Sequence, residues 1–267
     1  MKNKFWNFTN SNENPQEVDL YVYGDIVSGG DKWDSTDVTL PDFQQSLDNL
    51  GDAKKINMHI SSMGGSVFTT QTMITMLQSV KNKGITINAY LDGTCASCAS
   101  WLPMVADNIY AYDISVLMIH KPMTFAMGNA NDMQKQIDVL NKMEDSIMIP
   151  TYMNQIKDPK KTTVDDFKNL LANETWLNAQ EMSDLFNITI LDDDKEMVAY
   201  AGEHNFLNKY KHTPKYVLDM FNKSKKQIED KDIKDEKKDA AEKENKELEA
   251  KINNQISETE IFLALNK

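Results

Sequence analysis

The sequence predicts an α/β domain with a mainly parallel sheet, and two observations carry that prediction. Short runs rich in β-branched and aromatic residues alternate along the chain with stretches whose apolar residues recur at helical spacing. Glycines stand at the turns from strand to helix, as in the segment SSMGGSV over residues 61–67. Such alternation is typical of parallel sheets, which hold functional groups at the carboxyl ends of their strands.

The first predicted elements follow a polar, Asn-rich stretch, residues 1–16, which we interpret as a flexible N-terminal arm. The segment VDLYVYGDIV, residues 18–27, has the composition of a strand. Thr39 and Pro41 are suited to open a helix. The elements predicted next are a strand over 54–60, a helix over 66–83 and a strand over 85–91.

The second half of the domain continues with further strands and helices. WLPMVAD predicts a short apolar helix, and NIYAY and SVLMIH predict strands. A long helix is expected over residues 129–149 and should stop near Pro150, because proline interrupts helical hydrogen bonding. A helix over 164–171 follows, and NETWLNAQEMSDLFNI predicts a turn, a short helix and a return strand.

The chain changes character after the predicted domain, residues 17–203. Within the remaining stretch, 204–267, the last 46 residues from position 222 hold 12 acidic residues and 11 lysines, with few apolar positions. Such a segment cannot bury a core, so we predict a charged extension that is a solvated helix, a weakly self-associating helix or disordered.

Composition limits the range of functions. The net charge of −12 argues against broad electrostatic binding to nucleic acid or to an anionic membrane. Every basic residue is lysine, so the bidentate guanidinium favoured for phosphate recognition is missing. No run approaches the roughly 18 apolar residues of a membrane span. The first twenty residues lack the apolar segment of a signal peptide, so we expect a protein that is not secreted.

Both cysteines lie in the segment DGTCASCASW, residues 92–101, as Cys-x-x-Cys. A structural zinc site needs four ligands, and none of the four histidines has ligand spacing to another. The surroundings of a redox dithiol are also missing. The sequence therefore predicts buried thiols, with neither a metal nor a cofactor.

The same segment offers a candidate nucleophile, Ser97. A nucleophile elbow consists of a strand, a tight turn with small neighbours and a helix whose N-terminal amides face the reacting group. Gly93, Ala96 and Ala99 supply the small neighbours, but the usual Gly-x-Ser-x-Gly is absent. Read alone, the segment is also compatible with small residues that pack a helix closely on a sheet.

Two other segments have the same ambiguity. The Gly64-Gly65 turn could present backbone N–H groups to an anion, or be an ordinary tight turn. His120 ends the strand SVLMIH, where it could face a neighbouring strand's turn or be a surface histidine.

In their order and spacing, these segments resemble the ClpP-like serine peptidases, and more closely the branch that acts as head maturation (prohead) protease in tailed phages. The resemblance runs from about Val18 to Ile190. It is carried by YVYGDIV with WDSTDVT downstream, INMHISSMGGSVF, DGTCASCASWLPMVAD, VLMIHKP and ETWLNAQEM. It implies a ClpP/crotonase-like fold of repeated β-β-α units, with residues 129–149 as an extra handle helix between subunits.

The resemblance also implies the site residues. Ser97 corresponds to the nucleophile, His120 to the general base and Glu174 to the acidic member; the backbone N–H groups of Gly65 and Cys98 would bind the oxyanion. The family usually has Asp where this chain has Glu174, which leaves Asp166 and Asp184 as other candidates. The turn also reads Ser-Met-Gly-Gly where the family often has Ser-Pro-Gly-Gly.

The function implied is an ATP-independent serine endopeptidase that cleaves scaffold and capsid proteins during phage head maturation through an acyl-enzyme. Its substrates would be phage polypeptides and its self-assembly ring-like, in the host cytoplasm or the prohead interior, without nucleic acid or membrane partners. The alternatives are a cytosolic ClpP-type subunit that works with an unfoldase, and a catalytically dead assembly or scaffolding protein. Crotonase-like acyl-CoA chemistry uses a related fold but does not explain the peptidase positions of Ser97 and His120.

Overall fold

The computed structural model describes residues 6–10, 16–27, 39–192, 210 and 212–219. Within these residues the strands form one eight-stranded sheet. The strands are β1 (Trp6–Asn10), β2 (Glu17–Tyr23), β3 (Lys55–Ser62), β4 (Thr86–Ala96), β5 (Asn108–Tyr112), β6 (Val116–Ile119), β7 (Thr175–Leu177) and β8 (Ile188–Leu191).

The helices begin at side chains that satisfy their free N–H groups. Thr39, Asn129, Thr163 and Asn178 each form a capping box with an acidic residue three positions later, and Ser66 caps another helix. The helices are α1 (Leu40–Asp48), α2 (Val67–Asn82), α3 (Ala130–Met143), α4 (Ile149–Met153), α5 (Val164–Ala172) and α6 (Ala179–Leu185).

The sheet is mainly parallel, which confirms the predicted α/β class. Its main path runs β1-β2-β3-β4-β5-β8, and β6 pairs with β4 and with β7. The antiparallel pairs are β1 with β2 and β6 with β7. The central strands carry the apolar core, since the alternate residues Ile56, Met58 and Ile60 of β3 are fully buried.

Strand β4 divides between two neighbours, and this division creates the site. Its first part, from Asn88 to Leu91, pairs with β5. Its last part, from Thr94 to Ala96, pairs instead with β6. The carboxyl end of β4 therefore lies beside the carboxyl end of β6, directly before Ser97.

The prediction of a flexible N-terminal arm over residues 1–16 is wrong for residues 6–10, because these residues form β1 and pair with β2. The reason is the alternation of aromatic and polar residues in WNFTN. It directs Trp6 into the core, where 5% of the side chain is exposed and its ring meets Phe43 edge-on at 5.2 Å.

The long helix predicted over residues 129–149 does not stop at Pro150. A π-helical turn over Glu144–Met148 joins α3 to α4, and Pro150 lies in the first turn of α4. A proline lacks the N–H that an α-helix uses and clashes with the carbonyl four residues earlier. The wider π turn changes the hydrogen-bond register just before the proline, so the chain continues in a helical path.

The predicted tail lies outside the described residues except for residue 210 and residues 212–219. Residues 210 and 212–218 belong to the same compact unit as the sheet. Residues 215–219 form a short helix. Among the described helices, none has both the length and the apolar character needed to cross a membrane.

Candidate active site

Ser97 stands at the turn that follows β4. The 3₁₀ turn Ser97–Trp101 starts at this residue, and a second over Pro103–Val105 follows where the sequence predicts one short helix. Ser97 has a φ of 54°, a left-handed conformation that costs a residue with a side chain about 1–2 kcal/mol. The turn is held by Ser100, whose hydroxyl donates to the Ser97 carbonyl at 2.5 Å.

His120 follows β6, and the pairing of β6 with β4 brings it to Ser97. Ala96 lies opposite Met118, so the residues after both positions leave the sheet side by side. The His120 Nε2 and the Ser97 Oγ are 2.7 Å apart, within hydrogen-bonding distance.

The surroundings of His120 favour the neutral imidazole. Burial lowers the pKa of His120 below its ordinary value near 6.5, while the charge of Glu174 and a backbone hydrogen bond with Lys121 partly oppose that effect. At neutral pH the ring is therefore unprotonated, as a proton acceptor from Ser97 must be.

Glu174 precedes β7, and the antiparallel register of β7 with β6 determines its place. Thr175 lies opposite Ile119, so Glu174 lies at the position across from His120. Its φ of 51° is again left-handed. One carboxylate oxygen, Oε1, accepts hydrogen bonds from the His212 backbone N–H at 2.8 Å and from the Trp176 indole at 3.4 Å.

The two other acidic candidates make local contacts in their own helices. Asp166 completes the capping box of α5 by accepting from the Thr163 N–H at 2.9 Å and from its hydroxyl at 2.6 Å. Asp184 accepts from Gln180 at 2.9 Å in α6. Of the three, Glu174 is the carboxylate whose charge acts on His120.

The Gly64-Gly65 turn packs directly on the Ser97 backbone. A Cβ on Gly64 would lie 2.8 Å from the Ser97 Cβ, and a Cβ on Gly65 would lie 2.2 Å from the Ile26 carbonyl oxygen. Ile26 holds the other side of the turn. Its N–H donates to the Gly64 carbonyl at 2.9 Å, and its carbonyl accepts from the Ser66 N–H at 2.7 Å. The backbone at Ile26, at the glycine turn and at Ser97 therefore approaches so closely that only glycine fits at positions 64 and 65.

The two predicted oxyanion donors, the backbone N–H groups of Gly65 and Cys98, belong to segments that pack on each other beside Ser97. Burial raises the pKa of the Cys98 thiol, and hydrogen bonds from Thr70 and from the backbone N–H groups of Gly65 and Cys98 oppose that rise. The Gly64-Gly65 turn lies against the Cys98 backbone, since a Cβ on Gly64 would be 3.1 Å from the Cys98 nitrogen. Two such donors beside a nucleophile can stabilise a developing oxyanion.

Both cysteines are buried free thiols. Burial raises the pKa of Cys95, and its thiol donates to the Ala99 carbonyl at 3.2 Å. A thiolate is therefore disfavoured at both positions, which removes the usual basis for redox or metal chemistry. In the described part of the chain, His, Cys, Asp and Glu side chains form no group of three suited to a metal.

A cavity of about 610 Å³ opens beside Ser97 and His120. Its apolar wall includes Trp101, Met123 and Met148. Tyr210 also lines this cavity. No local sequence motif connects Tyr210 to Ser97, which lies 113 positions earlier.

A family model described as Clp protease matches residues 41–185, more than half of the chain. The chain belongs to the Clp protease family. This confirms the ClpP-like family and fold, and the family indicates a serine-type peptidase, a hydrolase of peptide bonds. Ser97, His120 and Glu174 all lie inside the matched segment, and Tyr210 lies beyond it. No curated protein matches the chain significantly.

Proposed function

We propose that this Clp protease family member is an ATP-independent serine endopeptidase with Ser97 as nucleophile and His120 as general base. The 2.7 Å approach of the His120 Nε2 to the Ser97 Oγ carries the proposal. The neutral imidazole favoured by burial is the form that accepts the serine proton. The left-handed turn at Ser97 is the kind of local strain that persists where geometry serves a function.

The reaction follows from these atoms. Ser97 Oγ attacks a peptide carbonyl while His120 takes its proton, and the imidazolium then protonates the leaving amine. His120 then acts as the base again and takes a proton from the water molecule that hydrolyses the acyl-enzyme. Glu174 has the role of stabilising the imidazolium, which its charge favours by raising the pKa of His120.

The Gly65 and Cys98 N–H groups would bind the oxyanion of the tetrahedral intermediate. Removing one such donor in other acyl-transfer enzymes costs about 3–4 kcal/mol of transition-state stabilisation. Cys98 contributes through its backbone, so its thiol is dispensable for the reaction.

Covalent labelling with a fluorophosphonate tests the nucleophile. The wild-type chain should be labelled at Ser97, and Ser97→Ala should abolish the label. Cys95→Ser is the matched control. It changes a buried side chain two positions before Ser97, whose described hydrogen bond goes to the Ala99 carbonyl and not to His120. A label that persists in Ser97→Ala would exclude Ser97 as the nucleophile.

We propose phage capsid and scaffold polypeptides as the substrates, cleaved during head maturation. The support is the resemblance of the five co-linear sequence segments to that branch, together with the charged composition of residues 222–267. Co-expression with the capsid protein of a neighbouring gene tests this step. Capsid processing should occur with the wild-type chain and fail with Ser97→Ala; equal processing by both would contradict it.

We further propose assembly into a homo-oligomeric ring, which is usual in this family. Helix α3 supports the proposal, since Ile137 and Val139 are about half exposed on it. Light scattering of the wild type and of Ile137→Glu compares their masses. A lower mass for the variant is expected, and a monomeric wild type would contradict ring assembly.

A further inference from the structure

Tyr210 lies directly on the candidate catalytic groups. Its ring meets the His120 ring edge-on with 5.7 Å between centroids, and the Trp176 ring edge-on at 5.8 Å. Its hydroxyl donates to the Met63 carbonyl at 3.1 Å, next to the Gly64-Gly65 turn, and is hydrogen-bonded with the Ser97 hydroxyl. The side chain therefore extends from the histidine, past the nucleophile, to the glycine turn.

The residues after Tyr210 are fastened to the same domain. The His212 backbone N–H donates to Glu174 Oε1 at 2.8 Å, so the segment also engages the acidic residue beside His120. Val217, in the short helix over 215–219, is 1% exposed, whereas its neighbour Leu218 is 38% exposed. Two hydrogen bonds, from the Tyr210 hydroxyl to the Met63 carbonyl and from the His212 N–H to Glu174, thus hold the segment at the site, and Val217 is its buried side chain.

This arrangement interferes with the proposed reaction in two ways. A substrate carbonyl carbon must come within about 3–3.5 Å of the attacking oxygen, and the Tyr210 hydroxyl already takes a hydrogen-bonding position on Ser97. Since the Tyr210 proton goes to Met63, its oxygen accepts from Ser97 and competes with His120 for the serine proton.

We infer that Tyr210 and residues 212–218 form an autoinhibitory strap, in which Tyr210 occupies the position of an aromatic substrate side chain. The inference rests on the proposed function, because it needs Ser97 to be the nucleophile. Displacement of the strap frees Ser97, returns its proton to His120 and opens the place of the tyrosine ring to a substrate side chain. No bond is made or broken in this step.

Two full-length variants release the strap by different means. Tyr210→Ala removes the ring itself, and Val217→Asp places a charge at the buried position of the strap, which favours a state in which that position is exposed to water. Leu218→Asp is the matched control, because it adds the same charge at an exposed neighbour. The rate of fluorophosphonate labelling at Ser97 should rise about tenfold or more in both strap variants, as for a site that is open less than a tenth of the time. The control should keep the wild-type rate.

A pair of peptide boronic acids tests the occupied position. One carries a phenylalanine side chain next to boron and the other an alanine side chain. Tyr210→Ala should improve binding of the phenylalanine probe more than that of the alanine probe, because the emptied volume fits an aromatic ring. An equal change for both probes would contradict the assignment of Tyr210 to a substrate position.

The outcomes separate this inference from the proposed function. A wild type that labels as fast as Tyr210→Ala overturns the strap and leaves Ser97 as nucleophile. Slower labelling of Tyr210→Ala also overturns it, because Tyr210 would then position the catalytic groups. Failure of Ser97 labelling in the wild type and in both variants overturns the proposed function, and the strap with it. Thermal unfolding shows whether Val217→Asp is folded. If it is not, the labelling rate of Tyr210→Ala alone decides whether the strap inhibits Ser97.

Discussion

Alanine substitutions at two glycines separate backbone strain from displacement of the nucleophile. Gly64 and Gly84 have nearly the same left-handed φ, 89° and 90°. An alanine at either position carries a similar penalty of about 1–2 kcal/mol. The new methyl group at position 84 meets nothing within 4 Å, whereas at position 64 it lies 2.8 Å from the Ser97 Cβ.

The size of the displacement follows from that distance. Carbon atoms in ordinary contact are at least 3.4 Å apart, so the Ser97 Cβ or the turn must move by about 0.6 Å. A shift of that size lengthens or misaligns the 2.7 Å hydrogen bond between Ser97 and His120. A misplacement of about 1 Å can cost about 100-fold in rate, so we expect a loss of about 10- to 100-fold in Gly64→Ala.

The assay combines the fluorophosphonate labelling rate with urea unfolding of the same samples. Gly84→Ala should lose stability and label at the wild-type rate. Gly64→Ala should lose at least as much stability and label much more slowly. The reasoning is refuted if Gly64→Ala labels at the wild-type rate, or if both variants lose labelling equally.

Four further predictions concern protonation of the site, packing of β1 and the Cys98 thiol. Burial lowers the pKa of His120, and only the neutral ring accepts the serine proton, so labelling should fall as pH drops, with a midpoint below about 6.5. Glu174→Gln removes a charge that raises this pKa, so it should move the midpoint to lower pH and slow labelling, whereas Asp184→Asn should do neither. Trp6→Ala should lower the free energy of unfolding by about 3 kcal/mol in urea; a change below about 0.5 kcal/mol would contradict the packing of β1. Cys98→Ala should retain labelling, and a loss as complete as that expected on removing the nucleophile would show that the thiol itself takes part.

The order of strands and turns could be predicted because its signals are local. A strand's composition, the Gly64-Gly65 pair and the position of His120 at a strand end are each visible within a few residues. These segments come together through the pairing of β4 with β6. From the sequence, that arrangement could be inferred only through the family resemblance. Glu174 shows the difference, since its place beside His120 follows from the β6–β7 register.

The features that could not be predicted depend on partners distant in sequence. Trp6 joins the core through Phe43, which lies 37 positions away in α1. Pro150 stays inside a helical path because the preceding turn changes its hydrogen-bond register. Tyr210 comes from a region whose composition indicates a solvated extension, yet its neighbours anchor it against the site. Composition describes a segment's average behaviour and cannot identify the one side chain that docks.

Backbone strain gives an independent indication of where this molecule's function lies. Within the described residues, the non-glycine residues with positive φ are Ser97 and Glu174. Each costs about 1–2 kcal/mol, and neither is a residue type that favours a left-handed turn. They are far apart in sequence, and each flanks the same histidine, one through a hydrogen bond and the other through its charge. Packing alone gives no reason for two strained positions to meet at His120, whereas a serine–histidine–carboxylate site requires both side chains to be aimed there.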